Sequence, residues 1–247
     1  MSRATQVNPI RLGMLTPSSN TVLEPVTTAM VSGLPDVSVH FSRFRVTEIA
    51  LSADSLAQFD DSTILAAAEL LAHAKVDAIA WNGTSASWLG FDADRHLCSR
   101  ITGATGIPAG TSMLALNEVL EKTGVGRLGL VTPYVAPVQD RIVANYAALG
   151  YVCVADAGLG IEDNFAFSQV SADTLAAMIR SVAARGVDAI AVLCTNLRAA
   201  QLVGPLEAEL GVPIYDTIAT AVWKSLLLSG VDPNRVTGWG RLFQLAL

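Results

Sequence analysis

The sequence predicts an α/β fold of two pseudo-symmetric lobes, each a mostly parallel sheet flanked by helices, with the active site in the cleft between them. Three observations predict it. Short β-branched apolar runs alternate with Ala/Leu-rich helical stretches from end to end of the 247-residue chain. The strand candidates are apolar almost throughout, as in parallel sheets covered on both faces. The chain also repeats itself. Arg11-Leu-Gly-Met-Leu-Thr-Pro17 returns as Arg127-Leu-Gly-Leu-Val-Thr-Pro133, an offset of 116. Val76-Asp-Ala-Ile-Ala80 returns as Val187-Asp-Ala-Ile-Ala191, an offset of 111, and Gly106-Ile-Pro108 as Gly211-Val-Pro213, an offset of 105. Three matches in one order, with a slowly drifting offset, mark two copies of one unit.

Taken in order, the first copy offers strand candidates at about 10–16, 37–43, 76–81 and 107–111, each a short apolar run. Between and after them lie helical patterns near 21–32, 61–74, 91–103 and 113–122. The second copy repeats the series: strands at about 127–132, 151–155, 187–193 and 212–215, helices near 135–148, 172–185, 197–209 and 217–229. The period is far too long for a solenoid. We divide the chain into a first lobe of residues 1–113 with 220–247, and a second lobe of residues 114–219.

Hydrophobic residues make up 51% of the chain and charged residues 15%, the balance of a globular protein rather than a disordered one. The formal net charge is −6 and there is no Lys/Arg run, which argues against a nucleic-acid partner. No stretch approaches the roughly 20 apolar residues of a membrane span, and the N-terminus lacks the apolar centre of a signal peptide. The three cysteines, Cys98, Cys153 and Cys194, are widely spaced, and His40, His73 and His96 show no ligand spacing. A disulfide framework and a metal site are therefore not expected, and a reducing, cytoplasmic setting is. Self-association is left open.

In open parallel sheets, ligands bind beyond the carboxyl ends of the strands, where loops lead into helices. The duplication identifies those loops. They are Thr16-Pro-Ser-Ser-Asn20 with its mate Thr132-Pro-Tyr-Val135, and Asn82-Gly-Thr-Ser85 with its mate Leu193-Cys-Thr-Asn196. Their hydroxyls, amides and helix-start N–H groups suit a carboxylate or an enolate. Each residue alone has an ordinary reading. Ser18, Ser19, Asn20, Asn82 and Asn196 serve equally as caps or turn residues, Thr84 and Ser85 as caps, and Tyr134 as a packed ring. Cys98, in an amphipathic helix, and Cys153, in a strand, read as small buried hydrophobes. Cys194 ends an apolar strand and opens a helix, a position that tunes a thiol.

At these loops the sequence resembles the aspartate/glutamate racemase superfamily, particularly its arylmalonate decarboxylase and maleate cis–trans isomerase branches. The resemblance runs through RLGMLTPSSNTVLEP (11–25), DAIAWNGTSASWLG (77–90), GIPAGTSMLALN (106–117), RLGLVTPY (127–134), LGIEDN (159–164), DAIAVLCTN (188–196) and GWGRLF (238–243). It implies two facing lobes with neither metal nor organic cofactor. Racemases and isomerases of this kind carry a cysteine on each lobe. The second falls on Cys194 and the first on Gly83, which has no side chain to act. In that respect the chain is similar to arylmalonate decarboxylase, with Gly-Thr-Ser in one lobe and a single cysteine in the other. Pro-Ser-Ser-Asn at 17–20, Tyr134 and Asn164 instead resemble the isomerases. Arg43 and Arg45, two apart on a strand, share one face and either grip a second carboxylate or are solvated.

The resulting expectation is a cofactor-independent decarboxylase of a substituted malonate or related small dicarboxylate. Cys194 is the proton donor to an enediolate, and Thr84, Ser85, Tyr134 and the helix-start N–H near Thr195 stabilise it. Pro17, Ser18, Asn20, Gly83, Asn164 and Thr195 are the expected substrate contacts. An apolar wall faces the departing carboxylate. The alternatives are a maleate-type isomerase or one-base racemase and, outside enzymes, a binder of small dicarboxylates.

Overall fold

In the computed structural model, which describes residues 9–49, 51 and 61–245, the apolar runs of each copy pair in parallel. The first copy gives β1 (Ile10–Pro17), α1 (Leu23–Val31), β2 (Val37–Phe44), α2 (Asp61–His73), β3 (Ala78–Trp81), the one-turn α3 (Ala86–Leu89), α4 (Phe91–Thr105), β4 (Ala109–Thr111) and α5 (Ser112–Lys122). The second gives β5 (Arg127–Thr132), α6 (Ala136–Ala148), β6 (Val152–Gly158), the one-turn α7 (Asn164–Phe167), α8 (Ala172–Ala183), β7 (Ala189–Val192), α9 (Ala200–Leu210), β8 (Ile214–Asp216) and α10 (Thr217–Leu228). The sheets have the orders β2-β1-β3-β4 and β6-β5-β7-β8, the same topology twice.

The repeated motifs have physical causes that lie in the sheets themselves. Asp77 Oδ2 accepts from Arg11 N–H at 2.7 Å, and Asp188 Oδ2 accepts from Arg127 N–H at the same distance. Each aspartate thus clips the chain just before β3 or β7 to the start of β1 or β5, and both strands begin two residues later than the apolar pattern suggests. Gly13 and Gly129 make room for the helix above. A Cβ on Gly129 would lie 2.4 Å from Val182 of α8, and one on Gly13 would lie 3.2 Å from Leu71 of α2 and 2.9 Å from Val76 before β3. The Gly-x-Pro repeat is a helix stop. Gly106 and Gly211 end α4 and α9 with φ of 71° and 72°, a region glycine enters without cost. The prolines that follow still offer carbonyls, which accept from Ile79 and Ile190.

The lobes meet through their last helices. α10 follows β8 but packs on β3, β4 and α5 of the first sheet, with Thr220 Oγ1 donating to Ser112 O at 2.9 Å and Lys224 Nζ 2.6 Å from Glu118. Among the described residues, no helix is long and apolar enough to cross a membrane.

Candidate active site

The carboxyl ends of β1, β3, β5 and β7 converge where the duplication places them. After β3, Ser112 at the start of α5 donates its hydroxyl to the carbonyls of Trp81 and Gly83. After β7, its mate Thr217 donates to Val192 O and accepts from Cys194 N–H at 3.2 Å. One hydroxyl in each lobe thereby fixes the loop that carries position 83 or position 194.

A narrow cavity opens between these loops, about 290 Å³ counting the open solvent at its mouth, and its enclosed part has room for about one water molecule. Its polar lining is Thr84, Tyr134, Asn164, Cys194 and Thr195, and its other walls are Pro17, Val46, Ile49, Trp81 and Gly83. None of these side chains carries a formal charge at neutral pH. Tyr134 Oη and Thr84 Oγ1, from opposite lobes, share a 2.5 Å hydrogen bond. Burial holds the phenol well above its usual range, so it remains a neutral donor.

Cys194 is 3% exposed, and burial pushes its thiol up to about 12. The N–H of Asn196, which donates to Sγ at 3.4 Å, and the Tyr134 hydroxyl pull the other way without prevailing, and the Asp216 carboxyl opposes them. The expected helix start at Cys194 is corrected: residues 195–199 form turns, and α9 begins only at Ala200. The N–H groups near the sulfur therefore come from a tight turn rather than a helix end.

Thr195 Oγ1 donates to Asn82 O at 2.9 Å and accepts from Asn20 Nδ2 at 3.1 Å. Three expected contacts sit elsewhere. Asn20 is buried beside the cavity, not on its wall, and its Oδ1 accepts from Val22 and Leu23 N–H, the ordinary role of a residue opening a helix. Ser18 is exposed, and its Oγ bonds Val46. Ser85 is buried at the start of α3 but does not line the cavity. The two arginines also lie outside it. Arg43 pairs with Glu24 at 2.8 Å on the surface, and Arg45 is exposed.

Sequence reasoning missed Val46, Ile49 and Trp81. Trp81 ends β3, so its position at a strand's carboxyl end was a usable signal. Val46 and Ile49 had none, because a long-range pairing brings them in. Ile49 N–H donates to Glu162 O and Asn164 N–H to Thr47 O, each at 3.0 Å, laying residues 46–49 over the second lobe. No group of three or more His, Cys, Asp or Glu suited to a metal ion occurs among the described residues.

The family model for arylmalonate decarboxylase matches residues 12–243, nearly the whole chain. The chain belongs to the arylmalonate decarboxylase family. It is 31% identical over 164 residues to the arylmalonate decarboxylase of Bordetella bronchiseptica, covering 65% of this chain and 68% of that one. It is 28% identical over 241 residues to the maleate isomerase of Nocardia farcinica (strain IFM 10152), covering 95% of both. A solved structure of a variant Nocardia farcinica maleate cis–trans isomerase, holding a covalently bound succinylcysteine intermediate, matches with a TM-score of 0.85 at 25% identity. That match covers 96% of this chain and 99% of the other. This family member thus shares its fold with both enzymes, and both relatives are enzymes.

Proposed function

We propose that the chain is a cofactor-independent decarboxylase of substituted malonates, with Cys194 as its proton donor. One observation carries the reading: the only thiol in the cavity faces a glycine, Gly83, where the duplication puts its counterpart. A reaction through a covalent cysteine adduct has no nucleophile on that side, and a two-base racemisation has no second base. Decarboxylation needs neither.

The uncharged cavity supports the same chemistry. Thr84, Tyr134 and the turn N–H groups near Thr195 hold one carboxylate by hydrogen bonds. The second carboxylate lies against Pro17, Val46, Ile49 and Trp81, where nothing compensates its charge. Its C–C bond breaks, carbon dioxide leaves, and the electron pair enters the retained carboxylate as an enediolate. Preorganised donors of this type each lower such a barrier by about 3–4 kcal/mol. Cys194 S–H then protonates the α-carbon from one face, and solvent restores the thiol. A neutral thiol is the form this step needs.

A maleate-type isomerase is the second reading, favoured by the match to the Nocardia enzyme along 95% of the chain and by Asn164 on the cavity wall. Incubation with methyl(phenyl)malonate and, separately, with maleate decides between them. Release of carbon dioxide from the malonate without fumarate from maleate is the expected result. Fumarate formation without decarboxylation overturns the proposal, and tight binding with no turnover of either compound makes the protein a binder.

A further inference from the structure

We propose that Trp81 is the specificity-determining residue of this site: its indole fills the space that an acid–base side chain at position 83 would occupy. The wall it forms makes the chemistry one-faced. The inference rests on the decarboxylase reading for its catalytic part and on packing alone for the rest.

Gly83 is not a glycine because of its backbone. It is absent from the residues with positive φ, so its conformation is open to any side chain. The obstacle is the neighbouring ring. A Cβ on Gly83 would lie 1.9 Å from Trp81 Cζ2, 2.3 Å from Cε2 and 2.5 Å from Cη2. The ring has little freedom to withdraw. Trp81 is 1% exposed, its strand is paired on both sides, to Leu15 and to Thr111, and Phe44 packs on it at 5.0 Å between ring centroids.

The duplication shows what was exchanged. Trp81 and Gly83 correspond to Val192 and Cys194, at the shared offset of 111. The first lobe carries a large residue then none, the second a small residue then the thiol. Positions two apart on an extended segment point the same way, so one pocket of space is filled from position 81 in one lobe and from position 194 in the other. A cysteine at 83 alone therefore cannot reach the α-carbon. It needs a small residue at 81 as well.

The test is a cycle of Trp81→Val, Gly83→Cys and the double variant, which recreates the Val192–Cys194 pair in the first lobe. Trp81→Leu with Gly83→Ala is a second, milder cycle. Thermal melts read the packing. Gly83→Cys alone should lower Tm by roughly 5 °C, and in the Trp81→Val background it should lower it by much less. Equal losses in both backgrounds overturn the inference whatever the activity. NMR in deuterated buffer reads the chemistry on 2-phenylpropionate, the product expected from methyl(phenyl)malonate. Only the double variant should exchange the α-proton and racemise this acid, one cysteine as its thiolate removing the proton and the other as a deuterated thiol returning a deuteron. Coupling in the melts without exchange overturns the one-faced role of Trp81 and leaves decarboxylation in place. A wild-type chain that releases no carbon dioxide from the malonate defeats the decarboxylase reading, and the melts then decide the packing claim by themselves.

Discussion

Burial pushes Cys98 and Cys194 up to about 12 and Cys153 up to about 11. Ionisation therefore does not single out Cys194. Its surroundings do: it alone of the three lines the cavity, beside Tyr134 and Thr84, with a turn N–H on its sulfur. Cys194→Ala should lower kcat/KM by about 10²–10⁴-fold, the usual worth of a general acid, while Cys98→Ala and Cys153→Ala leave turnover nearly unchanged. Steady-state kinetics on the decarboxylated malonate checks both. The pH profile follows from the same environment. In the proposed reaction the active form is the thiol, which exists below its pKa, and that pKa is raised to about 12. The Cys194-dependent loss should thus be absent up to about pH 10 and appear only beyond it. Activity that climbs between about pH 8 and 10 would mark a thiolate nucleophile instead.

Much of the repeated sequence serves the elements rather than the chemistry. The aspartate clips, the Gly-Pro helix stops and the glycines under the helices build the same sheet twice, and the proposed chemistry rests on loop residues beyond the strands that differ between lobes. Gly129→Ala should cost about 1–3 kcal/mol in urea unfolding, because its methyl meets Val182 at 2.4 Å. Gly103→Ala, in a helix with nothing within 4 Å, should instead stabilise by about 0.5–1 kcal/mol. All eight expected strands and their parallel pairing were legible, because apolar runs and a duplicated motif are local signals. The short helices α3 and α7 were not, being single turns without a periodic face. Of the expected site residues, Cys194, Thr84, Tyr134, Gly83 and Thr195, which strand ends and repeat offsets single out, line the cavity. Ser18 and Asn20 do not line it, and the sequence gives no sign of this, because a hydroxyl or amide in such a loop looks the same whether it faces a ligand or the chain. Trp81 was hidden by its own apolarity, and Val46 and Ile49 by a pairing between segments more than a hundred residues apart.

At the scale of the molecule, the cavity exists because side chains stitch one lobe to the other. Asn196 Oδ1 accepts from Thr21 N–H at 3.0 Å while its Nδ2 donates to Asn164 O at 2.6 Å. Asn164 Nδ2 in turn donates to Ser19 Oγ at 2.7 Å. Asn196→Ala leaves the buried Asn164 carbonyl and the Thr21 N–H without this partner and should cost about 1–3 kcal/mol of stability. It should also lower kcat/KM without moving the alkaline limb, since the Asn196 N–H on the sulfur is backbone and survives. A melt and a pH series on the variant test this. The central claim, that one thiol delivers one proton to one face, is tested most directly by turnover of methyl(phenyl)malonate in deuterated buffer, with chiral chromatography and NMR of the product. The expected product is a single enantiomer of 2-phenylpropionate carrying one deuterium at the α-carbon, with no further exchange on standing. Racemic product, continuing α-exchange by the wild-type chain, or undiminished turnover with Cys194 replaced by alanine would contradict it.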